Sequence, residues 1–191
     1  MKPMTTSPRI RAIAAGFTLL EVLIAIVVVA FGLLGLAGLQ VFALRNNISA
    51  AQRVTATALT ADIVDRMKAN FEGVVAGNYN VTASSGYSGP AVAACAQKSG
   101  TCTPANLATT DLYEWKQRIA AALPGGDGRV CVDTTPAVPD PDVGGGVPSP
   151  ASPGCNGTGV NSYVVKIWWY DERGQGTGTG TLKYIYTTFN P

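Results

Sequence analysis

The chain has 191 residues with a formal net charge of +2, and only 14% of them are charged. An ordinary soluble domain has about 25% charged residues, so part of this chain suits an apolar environment. There is no histidine, which excludes His-based catalytic triads and His-ligated metal sites. Lys2, Arg9 and Arg11 account for the excess of positive charge, and the remainder argues against a basic, nucleic-acid-binding domain.

An apolar run follows this basic leader. Residues 22–39 contain no polar side chain, and Glu21 is the single ionisable residue from Phe17 to Leu44. A bilayer core needs about 20 apolar residues, whereas the apolar part of a secretory signal is shorter. The run therefore predicts one membrane-spanning helix. The basic leader predicts a cytoplasmic N-terminus, which places the rest of the chain where cysteines can oxidise.

Glu21 is what a plain membrane anchor does not explain. A carboxylate within a membrane helix usually marks a function because its burial is costly. Glu21 is close to one end of the run, where its side chain could instead reach the interface. Both interpretations are open from the residues alone.

The helical pattern continues beyond the apolar run. Apolar and small residues recur every three or four positions at Leu44, Ile48, Ala51, Thr55, Leu59, Ile63 and Met67. Charged and polar residues, among them Gln52, Arg53 and Arg66, fall mostly between them. This spacing predicts an amphipathic continuation, and hence one long helix over residues 17–69.

A second helix is expected after a Gly- and Ser-rich loop over residues 71–108. Asp111 followed by Glu114 resembles a capping box and predicts the helix start, with Trp115 on a core-facing stripe. The helix should end at "LPGG", where Gly125 and Gly126 can take positive φ.

Three β-rich segments follow, at residues 129–133, 162–170 and 182–189. The last two are joined by a Gly-rich segment that reads as a hairpin loop. Residues 134–159 form a Pro/Gly-rich insertion, which predicts an irregular, exposed loop. Its acidic residues, with Asp133 before it, fit a solvated loop better than a calcium site, because the EF-hand pattern is absent.

Several of these residues together resemble the type IV pilins. The leader ends at Gly16, followed by Phe17 and then Glu21 at the head of the apolar run, as in the class III signal of that family. The segments "GLLGLAGLQ" (32–40), "DRMKAN" (65–70) and "DLYEWKQRIAAALPGG" (111–126) resemble the minor pilin often called PilV. The resemblance implies an α+β, type IV pilin-like fold. In that fold a long N-terminal helix packs on a small antiparallel sheet.

The resemblance also implies a processing route and a division of the chain. Residues 1–16 would be a cytoplasmic leader, removed by a prepilin peptidase after Gly16, with methylation of the new amino terminus at Phe17. Residues 17–44 would be the transmembrane and assembly helix, and 45–70 its amphipathic continuation. Residues 71–191 would form a periplasmic, later extracellular domain. Glu21 is then an assembly residue, which pairs with the Phe17 amine.

The implied protein is a structural subunit for pilus assembly, and hence for twitching motility or adhesion, rather than an enzyme. Its expected partners are major and minor pilins, the prepilin peptidase, the inner-membrane assembly machinery and membrane lipid. No cofactor, metal or nucleic acid is expected. The protein would be stored in the inner membrane and then enter the surface pilus.

The four cysteines all follow the apolar run. Four cysteines allow three pairings. Pairing sequence neighbours leaves none over and predicts the disulfides Cys95–Cys102 and Cys131–Cys155.

Two other function classes fit parts of this sequence. A pseudopilin of a type II secretion system would share the leader, Phe17 and Glu21. A membrane-anchored enzyme or ligand-binding domain would share the anchor, although no nucleophile clusters with a base. Genomic neighbourhood would separate the first from a pilus subunit.

Overall fold

The structure is a computed structural model that describes residues 16–81, 95, 101–137, 144–157, 162–171 and 181–191. The chain divides into two compact units, with the boundary between Leu44 and Arg45. Most of the leader, the Gly-rich segment 172–180 and part of the Pro/Gly-rich insertion lie outside the described residues.

Helix α1 runs over Leu19–Ala69 as one element of 51 residues. It begins two residues later than the pattern predicted and ends where expected. In the first unit, every described residue is exposed. The most apolar 18-residue window of α1 has a mean hydropathy of 2.9 and none of it is buried. By length and composition this helix could cross a membrane.

In the second unit, α1 is amphipathic as predicted, but its buried stripe differs from the predicted one. The buried residues are Gln52, Ala56, Thr60, Ile63 and Met67. The predicted Ala51 is exposed and Thr55 is only half-buried, so the first part of the stripe is shifted by one position. Thr60 tolerates burial because its hydroxyl donates to the Ala56 carbonyl oxygen at 3.0 Å.

Two further helices are α2 at Phe71–Val75 and α3 at Pro104–Ala122. The predicted capping box at Asp111 is wrong, because α3 begins seven residues earlier. The Thr103 hydroxyl caps α3 by accepting from the Asn106 N–H at 3.2 Å. Pro104 then supplies a fixed φ in the first turn.

The turn after α3 uses its two glycines differently. Gly125 takes the predicted positive φ of 57°. Gly126 is needed for space instead, since a Cβ there would lie 2.8 Å from the Ile119 carbonyl oxygen. The chain then enters strand β1.

The three strands are β1 at Asp127–Val132, β2 at Tyr163–Tyr170 and β3 at Leu182–Phe189. They form one antiparallel sheet in the order β1-β2-β3. Each lies within two residues of its predicted position. In register, Cys131 faces Val164 and Lys166 faces Tyr186.

The core of the second unit is shared by α1, α3 and one face of the sheet. Its members include Ile63, Met67, Trp115, Val165 and Ile167, all of them fully buried. Trp115 is a core residue, as predicted, and its Nε1–H donates to the Leu59 carbonyl oxygen at 2.8 Å. A long helix that packs on a small antiparallel sheet is the α+β architecture expected from the resemblance, and the structure confirms it.

Candidate functional site

The sequence-predicted processing and assembly residues lie at the start of α1, just before it and in its first turn. Gly16, Phe17 and Thr18 precede the helix, and Phe17 is 83% exposed. The Glu21 N–H donates to the Thr18 hydroxyl at 3.2 Å, so Thr18 caps the helix. Thr18 and Glu21 thus have the spacing of a capping box. This pattern was readable from the sequence but was missed.

The later helix start changes the local relation between Phe17 and Glu21. One helical turn between them was expected from a helix starting at Phe17. Because Phe17 lies outside the helix, that spacing does not fix the two residues on one helical face. Glu21 is instead in the first turn of α1, where the positive end of the helix dipole favours a carboxylate.

The apolar part of α1 forms an exposed surface among the described residues of its own unit. Leu23, Val28 and Leu33 are 60%, 64% and 60% exposed. A Cβ added at any of three glycines (Gly32, Gly35, Gly38) would meet nothing within 4 Å. Contacts among the described residues therefore do not require these glycines, and they leave room for another helix to approach closely.

A polar network joins α1 to α3 inside the second unit. One terminal nitrogen of Arg66, Nη1, contacts Asp111 Oδ1 and Glu114 Oε2, each at 3.0 Å. Arg66 Nε also contacts Asp62 at 3.3 Å. The sequence segments 65–70 and 111–126, which carried much of the resemblance, thus meet in space. The charged residues of these two segments have a structural role, because Asp111 is buried and needs a cationic partner.

Tyr79 extends this network into the core. Its hydroxyl donates to Asp111 Oδ2 at 2.6 Å and accepts from Asn70 Nδ2 at 3.1 Å. Burial, together with the hydrogen bond to Asp111, raises the pKa of Tyr79 far above its ordinary value. The hydroxyl therefore stays protonated and acts as a structural donor.

The second face of the sheet holds a buried ion pair that sequence analysis missed. Lys166 Nζ lies 2.5 Å from Asp133 Oδ2, and both side chains are 0% exposed. The same ammonium donates to the carbonyl oxygens of Pro153 and Gly154, at 2.9 and 2.6 Å. Asp133 is therefore a buried partner of Lys166 rather than part of a solvated loop.

The described part of the Pro/Gly-rich insertion is irregular, as predicted, but it is not simply exposed. Trp168 and Arg129 donate to the carbonyl oxygens of Pro148 and Pro150, at 2.7 and 3.2 Å. Pro148 and Gly154 are buried. Side chains of the sheet thus hold the insertion against the sheet through its backbone.

Both disulfides are present in the structure. Cys131 and Cys155 have Cα atoms 6.0 Å apart, and this bond ties the end of the insertion to β1. Cys95 and Cys102 have Cα atoms 4.8 Å apart and enclose a short ring before α3. The predicted site residues thus form separate groups, with Gly16, Phe17 and Glu21 at the helix start and the cysteine pairs elsewhere.

Among the described residues, no group of three or more His, Cys, Asp or Glu side chains could hold a metal ion. The acidic side chains of the α1–α3 network are engaged by Arg66 and Arg118 instead.

Two family models match the sequence. Residues 11–37 match the prokaryotic N-terminal methylation motif, and residues 38–113 match the Tt1218-like type IV pilins. The two matches adjoin and together cover 103 of the 191 residues. No curated protein and no solved structure gives a significant match.

Proposed function

We propose that this chain, which belongs to the type IV pilin family, is a PilV-like minor pilin that is needed for pilus assembly. The observation that carries the proposal is the apolar half of α1. It is long enough to span a membrane, is exposed at every described residue of its unit, and contains one carboxylate at its start.

An apolar helix surface that is exposed throughout the described residues needs an environment outside the chain. Lipid supplies one before assembly, and the helices of neighbouring subunits supply another in a fibre. A helix that is apolar all round suits both environments. The open glycines at 32, 35 and 38 support the second, because small residues allow helices to approach closely. The expected partners are therefore membrane lipid and other major and minor pilins.

The proposed route begins in the inner membrane, with the N-terminus cytoplasmic and the second unit periplasmic. A prepilin peptidase cuts between Gly16 and Phe17 and methylates the new amine, and the inner-membrane assembly machinery then transfers the subunit to the pilus. Mass spectrometry of the mature chain tests this step. A chain that begins at methylated Phe17 supports the proposal, whereas an N-terminus beyond Leu44 would contradict it.

Cleavage would create a positive amine four residues before Glu21. A charged group in an apolar environment is strongly unfavourable unless an opposite charge pairs with it. Glu21 can meet its own amine or, in a growing fibre, the amine of a neighbour. The second pairing would also fix the axial register, which apolar surfaces alone define poorly.

The position of Glu21 in the first helical turn suggests a sharper test of this pairing. Glu21→Gln retains a side chain suited to a capping box but loses the charge. Glu21→Asp retains the charge on a shorter side chain, and Glu21→Val loses both properties. Each variant is measured for membrane level, leader cleavage and recovery in sheared pili.

If charge pairing drives assembly, the Glu21→Gln and Glu21→Val variants are both processed but poorly incorporated into pili, and Glu21→Asp is intermediate. If assembly depends on helix capping instead, the Glu21→Gln variant enters pili at the normal level, and the pairing hypothesis fails. Thr18→Ala serves as the matched control, since it removes the observed cap but keeps the carboxylate.

The type II secretion pseudopilin remains the alternative because it shares the leader and the apolar helix. Deletion of the gene followed by counts of surface pili, twitching assays and secretion assays separates the two. Loss of pili with normal secretion supports the minor pilin, and the opposite result assigns the chain to secretion.

A further inference from the structure

A polar groove in the second unit has no role in the function described above. We call it the Trp169 groove. It has a volume of about 340 Å³ and is lined by Asn46, Ser49, Ala50, Arg53, Trp169 and Lys183. This volume falls at the lower end of the range of about 300–1,000 Å³ typical of small-molecule sites.

Trp169, which lines the groove, has a buried donor without a hydrogen-bond partner among the described residues. Trp169 is 2% exposed, and its Nε1–H has no partner within the described part of the chain. The other two tryptophans have partners for this donor, since Trp115 and Trp168 donate to carbonyl oxygens at 2.8 and 2.7 Å. A buried donor left unpaired is costly, and because Trp169 lines the groove, its indole lies next to any ligand that binds there.

Among the described residues, the charges around the groove favour a single negative charge on that ligand. Arg53 and Lys183 supply two positive charges, and Asp171 supplies one negative charge 3.7 Å from Lys183. That separation exceeds hydrogen-bond distance, so the ammonium donors are not committed to the carboxylate. The sequence contains no acidic residue between Glu21 and Asp62, so α1 brings no competing carboxylate to the groove.

We propose that the Trp169 groove binds a phosphodiester anion, supplied by the headgroup of an anionic phospholipid. A phosphodiester carries one negative charge and several acceptor oxygens, which match the cations and the neutral donors Asn46 and Ser49. Asn46 follows Leu44, the end of the apolar run, by two positions along α1. The inference requires the membrane anchor but not the pilus role, so it can fail independently of the proposed function.

The test uses the full chain, with ¹⁵N-labelled tryptophan, in lipid nanodiscs. The three indole N–H signals are recorded by NMR in phosphatidylcholine discs and in discs with increasing phosphatidylglycerol. We expect the Trp169 signal to shift progressively with phosphatidylglycerol, while the Trp115 and Trp168 signals stay in place. Trp169→Phe identifies the signal. A Trp169 signal that does not respond to phosphatidylglycerol overturns the proposal.

A second arm distinguishes a lipid headgroup from a free anion. Dimethyl phosphate is titrated into phosphatidylcholine discs as a soluble phosphodiester. We expect it to produce the same direction of shift only at far higher concentration, because it is not held at the membrane surface. If it saturates the shift as readily as phosphatidylglycerol does, the lipid source is wrong.

Charge variants test whether the groove itself is responsible. Arg53→Gln and Lys183→Gln should each require at least tenfold more phosphatidylglycerol for half-maximal shift. Arg45→Gln is the matched control, since it removes the same charge from α1 outside the groove lining. An equal loss in Arg45→Gln would mean diffuse surface attraction and would overturn the proposal.

Discussion

Helix α1 is continuous, yet the apolar side chains before and after residue 44 have opposite surroundings. Leu33 is 60% exposed, whereas Ile63 is 0% exposed and belongs to the core of the second unit. In the first part, apolar surface is directed at an environment outside the chain. In the second part, the apolar stripe that includes Ile63 is buried in the core. The contrast teaches that an apolar side chain on a helix contributes to folding stability only where the chain buries it.

The largest effect on stability is expected in the second unit, at the buried ion pair. Lys166→Met leaves Asp133 buried without its cation and should lower the free energy of unfolding by about 3–5 kcal/mol. Lys68→Met removes an ammonium that is 59% exposed and should cost at most about 1 kcal/mol. Denaturant titration of the full chain in detergent, followed by tryptophan fluorescence, measures both. Similar losses in the two variants would contradict the assignment.

A matched pair of truncations tests the comparison along α1 directly. Ile63→Ala should destabilise the second unit by about 2–5 kcal/mol, because it leaves a cavity in the core. Leu33→Ala should leave the unfolding of that unit unchanged, since Leu33 belongs to the first unit and its side chain is 60% exposed. Its effect should appear in membrane retention or pilus recovery instead. A stability loss in Leu33→Ala would show that the apolar part supports the second unit after all.

The two disulfides sharpen the comparison within the second unit. Their ring sizes differ, with sequence separations of 24 and 7 residues. In the chain-entropy model, replacing Cys131 and Cys155 with Ser costs about 3–4 kcal/mol, and replacing Cys95 and Cys102 costs about 2 kcal/mol. Thermal unfolding of both double variants ranks them. The reverse ranking would mean that contacts near Cys95, rather than ring size, determine the loss.

The smallest predicted effect concerns Tyr79. Tyr79→Phe should cost about 1 kcal/mol at pH 7, since Asp111 and Asn70 lose a partner. The pKa of Tyr79 is raised in the folded state, so its contribution is complete below pH 10 and is lost as the pH rises above 10. Unfolding measured from pH 8 to 11 should therefore show a shallower alkaline loss in the variant. An unchanged slope would contradict this.

The elements that sequence analysis predicted well are those whose signal is local. The end of α1 and the positions of the three strands follow from periodicity and from turn residues nearby in the chain. The Thr18 cap was also local, as a Thr-x-x-Glu pattern, and could have been found. Long apolar runs are informative because their composition alone restricts the surroundings they can occupy.

The elements that sequence analysis missed depend on partners far along the chain. Asp111 resembled a helix cap, but its role is set by Arg66, which lies 45 residues earlier. The Lys166–Asp133 pair depends on Asp133, just after β1, meeting Lys166 in the middle of β2, which no local pattern encodes. Gln52 and Thr60 are buried because of what packs over α1, although their residue types suggest exposure. Tertiary packing thus determines the burial and the partners of these residues.

The attachment of the Pro/Gly-rich insertion has a consequence for sequence divergence. Arg129, Lys166 and Trp168 hold it by donating to carbonyl oxygens. Every amino acid carries such an oxygen, so these bonds do not read the identity of the side chains in the insertion. The outward-facing residues between the attachment points can therefore change by mutation while the fold persists. A surface built this way can acquire new exterior chemistry without a cost to the sheet beneath it.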